Sequence, residues 1–454
     1  MVIVDAQDIP RAPGRMPLVG HALNMARRPL DFLQSLPETG PLVRVDLGTM
    51  PVYVPTDADL IRDVMVKHAP KFVKGRLYTR VEPLVGKGLA TSSGQVHRRN
   101  RRLMQPMFHK ERIAGYAATM SERAQDLVDS WEPGQQLALE QEMGEYTIRT
   151  LAEVMFSADL GQPAVESVRK NLPVILKYML LRAAFPTFLD GLPIPANRKF
   201  DAAAREMRAV IDKVVADTRL SERTDRDDLV ALLLSARDAD TDEALTDEEV
   251  RDELVTILFA GTETTASTLS WFFHEVGRHP EVERQLLEEI DEVVGDGPVT
   301  IEHVPRLGTV KRVLDEVIRL YGVTMLMRRT TEPVELTDTR PDGQEVTYKI
   351  PAEAEVAFSL YAVHRHPELY KNPDDFDPDR WLRDDIPRTS FFPFGAGNRM
   401  CIGDAFSWTE ATIAVATILQ RYTLRPVPGH TPRKATSAMV HPDHVPMTVV
   451  PRAG

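Results

Sequence analysis

The chain is poor in cysteine, short of positive charge and without any long apolar run. Its 454 residues include one cysteine, Cys401, which excludes an intrachain disulfide and any zinc site built from several thiolates. That usage suits a reducing compartment. Lys and Arg number 55 against 67 Asp and Glu, a formal net charge of −12, so the basic face that neutralises phosphates is missing and nucleic acid is not an expected partner. No segment reaches the roughly 18 consecutive apolar residues of a membrane span. The first residues, Met1 to Asp8, have neither a basic leader nor an apolar core of signal-peptide length. A cytoplasmic protein with no membrane anchor is the expectation. What is present is an ordinary globular composition, 43% hydrophobic and 27% charged, without tandem repeats or low-complexity tracts and able to bury a sizeable core.

Residues 10–40 carry Pro10, Pro13, Pro17, Pro29 and Pro37 among short apolar pieces, an extended, proline-punctuated approach to the fold. Two strand-like runs follow, Leu42–Leu47 and Val52–Val54, with Gly48 between them. Helical periodicity then dominates from Asp57 to about Val294, broken by Pro and Gly near 84–94, 161–163 and 186–195. Charged stretches at 221–228 and 238–243 read as surface loops. The best-defined helix starts at Thr246, where Thr246-Asp-Glu-Glu249 fits a capping box. It can run to Arg278, about 30 residues or roughly 45–50 Å, before His279-Pro280 stops it. Its middle, 254–261, is apolar all round and should be buried. Gly261, Glu263, Thr262, Thr264 and Thr265 in such a helix sacrifice propensity, about 1 kcal/mol for the glycine alone. A local rule broken inside a buried element points to a site.

Near the C-terminus stands Phe394-Gly-Ala-Gly-Asn-Arg-Met-Cys401-Ile-Gly403, with a helical pattern from Asp404 onward. A cysteine at a helix N-terminus has its thiolate favoured by the dipole and free amides. Taken alone, a buried cysteine is usually inert packing. Glycines at 395, 397 and 403 argue otherwise, because they let backbone amides approach the sulfur and a flat partner lie over the loop. The segment resembles the haem-ligand loop of the cytochrome P450 family: Phe394, Gly397, Arg399, Cys401 and Gly403 fall on its Phe, Gly, Arg, Cys and Gly positions with no departure. The resemblance implies haem b with Cys401 as axial thiolate on the iron, Arg399 on a propionate, and Phe394, Gly395 and Gly403 along the cofactor. A thiolate ligand donates electron density that favours O–O cleavage.

Three distant segments extend the resemblance. Glu316 and Arg319 share a helix face at i,i+3, a pair that in isolation is a surface ion pair of about 0.2–1 kcal/mol. In the family this pair joins an arginine downstream, and Phe376-Asp-Pro-Asp-Arg380-Trp381 matches that segment, with Asp379 where Glu is commoner and Trp381 where Phe is commoner. The implied role of Glu316, Arg319 and Arg380 is structural. Ala260-Gly-Thr-Glu-Thr-Thr265 resembles the oxygen-activating segment. It implies that Gly261 helps open a groove for dioxygen, that Thr264 hydrogen-bonds the oxygen, and that Glu263 relays protons toward it. In isolation these threonines would bond their own i−4 carbonyls, and the acid would face solvent. In His97-Arg-Arg-Asn-Arg-Arg102, His97 and Arg101 share one helix face, Arg98 and Arg102 another; ordinarily such a run is a solvated face. The resemblance places His97, where Trp is commoner, and Arg101 on the propionates, and turns Arg98 and Arg102 outward to an acidic electron donor. Arg329 matches another propionate-binding arginine, with Arg328 one register away. Several cations for two carboxylates is sensible charge matching.

The resemblance covers nearly the whole chain, including His364-Arg-His-Pro367. It implies a mainly α fold with small β-sheets, and one haem-thiolate monooxygenase domain over 1–454. That domain has a β-containing part at about 40–95 plus the C-terminal strands, a helical part, and haem between the long helix and the cysteine-loop helix. The implied reaction inserts one atom of O2 into a C–H bond of a lipophilic small molecule, by one hydroxylation or successive oxidations. Electrons would come from NAD(P)H through a ferredoxin reductase and a separate ferredoxin, to a monomeric enzyme. A peroxide-driven peroxygenase or a haem-dependent isomerase is the rival, but such relatives commonly alter the acid–threonine pair, intact here as Glu263 and Thr264. Pocket positions Tyr78, Leu258, Phe259, Ala260, Val323, Thr324, Met325, Leu326 and Met439 offer no cation to anchor a carboxylate, so the substrate is expected to be neutral. Residues 12–21 and 192–198 are similar to those of terpene-oxidising actinobacterial members, which suggests a sesquiterpene or other secondary metabolite. Residues 177–185 would form a mobile lid over the pocket.

Overall fold

The computed structural model describes residues 2–156, 194–220, 228–238, 240–340, 342–384 and 386–452, with scattered positions between 163 and 192. The lid expected at 177–185, Tyr178 apart, and the stretch 221–227 lie outside the described residues. The fold is mainly helical with small sheets. The helices used below are α1 (Arg76–Val85), α2 (Gly94–Met104), α3 (Lys110–Asp129), α4 (Leu139–Met155), α5 (Asp247–Val276), α6 (Pro280–Val293), α7 (Gly308–Tyr321) and α8 (Asp404–Arg421). The strands are β1 (Leu42–Leu47), β2 (Met50–Pro55), β3 (Phe72–Lys74), β4 (Leu326–Thr330) and β5 (Glu355–Phe358). Among the described residues no helix is long and apolar enough to cross a membrane.

The chain divides into two compact units. The first comprises Met1–Thr79, Asp315–Cys401 and Ala435–His441. Its sheet runs β1-β2-β5-β4-β3, parallel only between β2 and β5. Alternation along the strands separates two apolar faces: Val43, Val45, Val52 and Val54 pack with Phe32 and Leu33, while Leu42, Tyr53, Phe72 and Val356 pack with Leu60, Ile61 and Val64. Burial on both faces explains why β1 and β2 read as valine-rich runs.

Beside this sheet lies a fully buried charged knot. Glu316 accepts from Arg319 Nε at 2.9 Å and Nη2 at 2.8 Å, from Arg380 Nε at 2.9 Å and from the Asp377 amide at 3.0 Å. The remaining guanidinium hydrogens reach carbonyls of His364, Pro373 and Asp375 from Arg319, and of Lys371, Asn372 and Asp375 from Arg380. The pairing of Glu316, Arg319 and Arg380 is nothing like a surface ion pair, since all three are at most 1% exposed.

The second unit comprises Arg80–Leu314, Ile402–Lys434 and Pro442–Gly454. Helix α5 packs along α4 and α8, and α8 along α3. The capping box is formed, with Thr246 Oγ1 accepting the Glu249 amide at 3.2 Å and Glu249 Oε2 accepting the Thr246 amide at 2.9 Å. The helix ends at Val276, two residues short of the expected stop. Loop 86–92 lies against α5 so closely that a Cβ at Gly86 would overlap the Asp252 carboxylate, and one at Gly88 the Thr256 hydroxyl. Asp252 accepts the Lys87 amide at 2.9 Å; Glu253 accepts the Leu89 amide and Asn100 Nδ2, both at 2.8 Å. This anchors α2 to α5.

Burial, helped by the charges of Asp252 and Glu249, pushes Glu253 up from 4.5 to about 7 against its two donors. A raised carboxyl pKa means the folded state holds the proton more tightly, so its stability falls as pH rises from about 4.5 to about 7. Across that window the wild type is expected to lose up to about 3 kcal/mol relative to Glu253→Gln, read as urea midpoints at the two ends; a pH-independent difference would contradict it. Glu316→Ala, which strands two buried guanidinium groups, is expected to cost about 3–5 kcal/mol in the same measurement.

Candidate active site

The first unit presents the cysteine. The turn Gly397–Arg399 precedes it, and the Cys401 amide donates to the Phe394 carbonyl at 2.9 Å while the Gly395 amide donates to Phe392 at 3.1 Å. Gly395 and Gly397 have φ of +75° and +70°, backbone that other residues adopt only with strain. A Cβ at 397 would also overlap the Met65 carbonyl oxygen. Gly403 is different: its φ is −94° as N-cap of α8, and the nearest atom to an added Cβ is Phe108 Cε1 at 3.8 Å. The loop thus closes on its own backbone bonds and leaves the Cys401 side chain exposed.

In the same unit, register pairs Lys74 of β3 with Arg328 of β4. Like charges directly opposite each other on a sheet repel. Burial and the charges of Arg328 and Arg399 push the Lys74 ammonium well below the usual lysine range. Arg328 is 7% exposed, with its guanidinium 5.9 Å from the centre of the Phe358 ring. A desolvated ammonium with two guanidinium charges near it suits an anion with more than one carboxylate, and the two propionates of haem are such a group. The residues present therefore fit the cofactor: Cys401 for the iron, and Lys74, Arg328 and Arg399 for its carboxylates. Arg329 does not belong to this set. Adjacent strand residues face opposite ways, and Arg329 pairs with Glu353, so the expected propionate arginine is corrected by one register to Arg328. Lys74 was not anticipated; a lysine closing a three-residue strand has no motif, and only its pairing with β4 exposes it.

Of the pocket candidates here, Val323 and Met439 form a bridge, and the Thr324 amide donates to the Ala438 carbonyl at 3.1 Å. Thr324 and Met439 are buried, whereas Tyr78, Val323, Met325 and Leu326 are half-buried. Tyr78 and Met325 pack on one apolar cluster, Val323 and Leu326 on the other.

The second unit carries the remaining candidates. Helix α5 is buried from Asp252 to Leu258 and again from Thr265 to Val276. Between them Ala260 is exposed and Phe259, Gly261, Glu263 and Thr264 are half-buried, so the expectation of burial through 261 fails for one turn. An opening on a helix enclosed at both sides is room for a ligand. Thr264 Oγ1 donates to the Ala260 carbonyl at 2.8 Å and Thr262 Oγ1 to Leu258 at 2.7 Å, while Thr265 meets Ser407 of α8 at 3.1 Å. Gly261 does not make the groove: its missing Cβ would lie 2.8 Å from Leu151 Cδ2, so its smallness lets α4 come close. Leu258 is fully buried core rather than pocket lining.

On α2, His97 is buried and Arg101 half-buried one turn later, on one face. Arg98 is exposed, but Arg102 is engaged by Asp238, at 2.8 Å, and by Asp240. Arg102 is itself exposed, so these two acids hold an outward-facing guanidinium. Asp238 itself is 2% exposed and so is anchored, not merely solvated.

A family model described as "Cytochrome P450" matches residues 10–448. Curated relatives include cyclooctatin synthase of Streptomyces melanosporofaciens, 41% identical over 92% of this chain and 90% of that protein. Cyclooctat-9-en-7-ol 5-monooxygenase of the same organism is 38% identical over 97% and 95%. Pentalenene oxygenase of Streptomyces avermitilis is 35% identical over 95% and 94%. Among solved structures, the cytochrome P450DA heme domain aligns with TM-score 0.85 and 27% identity, covering 100% of this chain and 99% of that one.

Haem release separates the cations. Lys74→Met and Arg328→Met are each expected to speed haem transfer to apomyoglobin by about tenfold to a hundredfold, the loss of a charge-assisted bond of about 1.5–3 kcal/mol, whereas Arg329→Met leaves it near wild type. A larger effect at Arg329 than at Arg328 would reverse the assignment.

Proposed function

Since the chain belongs to the cytochrome P450 family of haem-thiolate monooxygenases, we propose that it hydroxylates a neutral terpene using electrons from a separate ferredoxin and its reductase. The observation that carries this reading is the exposed Cys401 on a self-closed loop, in one unit with the buried Arg328 and the half-buried Lys74 and Arg399 cations. Haem bound there supplies the iron at which dioxygen is split, one atom going to the substrate and one to water. That the two units act as a single monomeric, cytoplasmic haem domain is part of the proposal, supported by the alignment with a whole heme domain.

The protein's share of the chemistry lies in position and protons. Cys401 would supply the thiolate, and Lys74, Arg328 and Arg399 would hold the cofactor by its carboxylates. His97 and Arg101 add two further donors from α2. The Thr264 hydroxyl proton is committed to the Ala260 carbonyl, which leaves the oxygen lone pairs to accept a hydrogen bond from water in the opening of α5. Glu263, adjacent and half-buried, is the group that can exchange a proton between solvent and that water. An intact acid–threonine pair favours use of dioxygen over use of preformed peroxide. Apolar Val323, Met325 and Leu326 with Tyr78 in the first unit suit a hydrocarbon surface, and the relatives named for cyclooctatin, cyclooctat-9-en-7-ol and pentalenene support a terpene.

The test is turnover with a surrogate ferredoxin and reductase, NADPH and 18O2 against a panel of terpenes. An alcohol carrying one 18O is expected; product formed with hydrogen peroxide alone at the same rate would contradict the oxygenase reading. Thr264→Ala is expected to keep its haem and lose product per NADPH by at least about tenfold, with peroxide released instead. Full coupling in that variant would remove Thr264 from proton delivery.

A further inference from the structure

We propose that His364 is a positioning residue of the cysteine loop, its Nε2 transmitting the geometry of the buried Glu316–Arg319–Arg380 knot to the backbone that presents Cys401. The proposal rests on the haem-thiolate reading above. The His364 carbonyl accepts Arg319 Nη1 at 2.9 Å, and its Nε2 accepts the Phe392 amide, also at 2.9 Å. Two backbone bonds continue the series: the Phe392 carbonyl accepts the Gly395 amide, and the Phe394 carbonyl accepts the Cys401 amide. The imidazole is therefore a hydrogen-bonded link between the charged knot and the loop, beside Tyr370, whose ring lies 5.3 Å from the Arg319 guanidinium and whose hydroxyl donates to the Ser390 carbonyl at 3.4 Å.

The ring has no freedom to do anything else. It is 1% exposed and hemmed by Phe391, Phe392 and Tyr370, with ring centres 5.1, 6.4 and 6.5 Å away. Since Nε2 accepts, the proton must sit on Nδ1, which has no hydrogen-bond partner. Burial and the charges of Arg319 and Arg365 push the imidazole down to about 3, so the ring stays neutral and Nε2 stays an acceptor. A buried donor left unpaired costs about 1–3 kcal/mol. Phenylalanine would fill the same space among these aromatic rings without that penalty. The imidazole is explained by what Nε2 does, because an amide entering the loop at 392 would otherwise be buried without an acceptor.

Three holoenzyme variants test this. His364→Phe keeps the ring and removes the acceptor; Gln carries an oxygen near the place of Nε2; Asn is too short to reach it. The readout is the rate at which the reduced, carbon-monoxide-bound protein converts from the thiolate-type to the protonated-thiol absorption band in urea below the unfolding transition. Far-UV circular dichroism is followed in parallel. Losing one hydrogen bond of about 1 kcal/mol predicts conversion roughly fivefold to tenfold faster in the Phe and Asn variants, with unchanged dichroism and with the Gln variant restored. Conversion at the wild-type rate in the Phe variant, equal rates in Gln and Asn, or loss of the band only in step with dichroism would each overturn the proposal. If the Phe variant does not fold, the Gln and Asn pair decides. A wild-type protein without the thiolate-type band would instead sink the haem-thiolate reading itself.

Discussion

The buried carboxylate of Glu316 accepts two guanidinium groups and an amide, and the rest of the first unit is arranged around the donors left over. Arg319 and Arg380 together reach the carbonyls of five residues between His364 and Asp375. That stretch is irregular, so its carbonyls have no helix or sheet to satisfy them. A buried ion pair is weak evidence of stability for its own sake, because desolvation offsets much of the attraction. Here the charges serve as a many-armed clamp on a backbone without regular structure. From the clamp, through His364 and Phe392, the constraint reaches the loop in front of α8.

The site joins an open thiol to a crowded set of cations. Cys401 is exposed because its loop closes on backbone bonds and on two glycines with positive φ. Lys74, Arg328 and Arg399 carry like charges close together, and burial together with the two guanidinium charges holds the Lys74 ammonium well below the usual lysine range. A dicarboxylate cofactor with a thiolate-seeking metal relieves both features together. In the other unit, α5 gives up helix propensity at Gly261 and its neighbours, and gives up burial over one turn, where Ala260 and Thr264 lie open. The glycine admits Leu151 of α4, while the open turn leaves the Thr264 hydroxyl and the Glu263 carboxylate partly accessible.

Features fixed by local rules were legible in the sequence. The capping box at Thr246, the valine-rich strands β1 and β2, and the spacing of Phe394, Gly397, Arg399, Cys401 and Gly403 each depend on residues close in the chain. What was not legible depends on register or on distant partners. Whether Arg328 or Arg329 turns toward Lys74 is decided by which face of β4 meets Glu353, and one residue of slip inverts the answer. Lys74 has no motif at all. Arg102 does face outward, but its partners Asp238 and Asp240 were not legible because they sit in a different part of the chain. Gly261 was read for what it opens, whereas its neighbour Leu151 shows what it admits. Membership of the family was readable from motifs; the side chains that hold the cofactor's carboxylates needed the strand pairing.

The central claim is that the Cys401 loop is built to present a thiolate to haem iron. It is tested most directly by the absorption spectrum of the dithionite-reduced, carbon-monoxide-bound wild-type protein, produced with ample haem. The account predicts a Soret maximum at the long wavelength peculiar to thiolate ligation. A maximum typical of histidine or protonated-thiol ligation in freshly folded protein would contradict it.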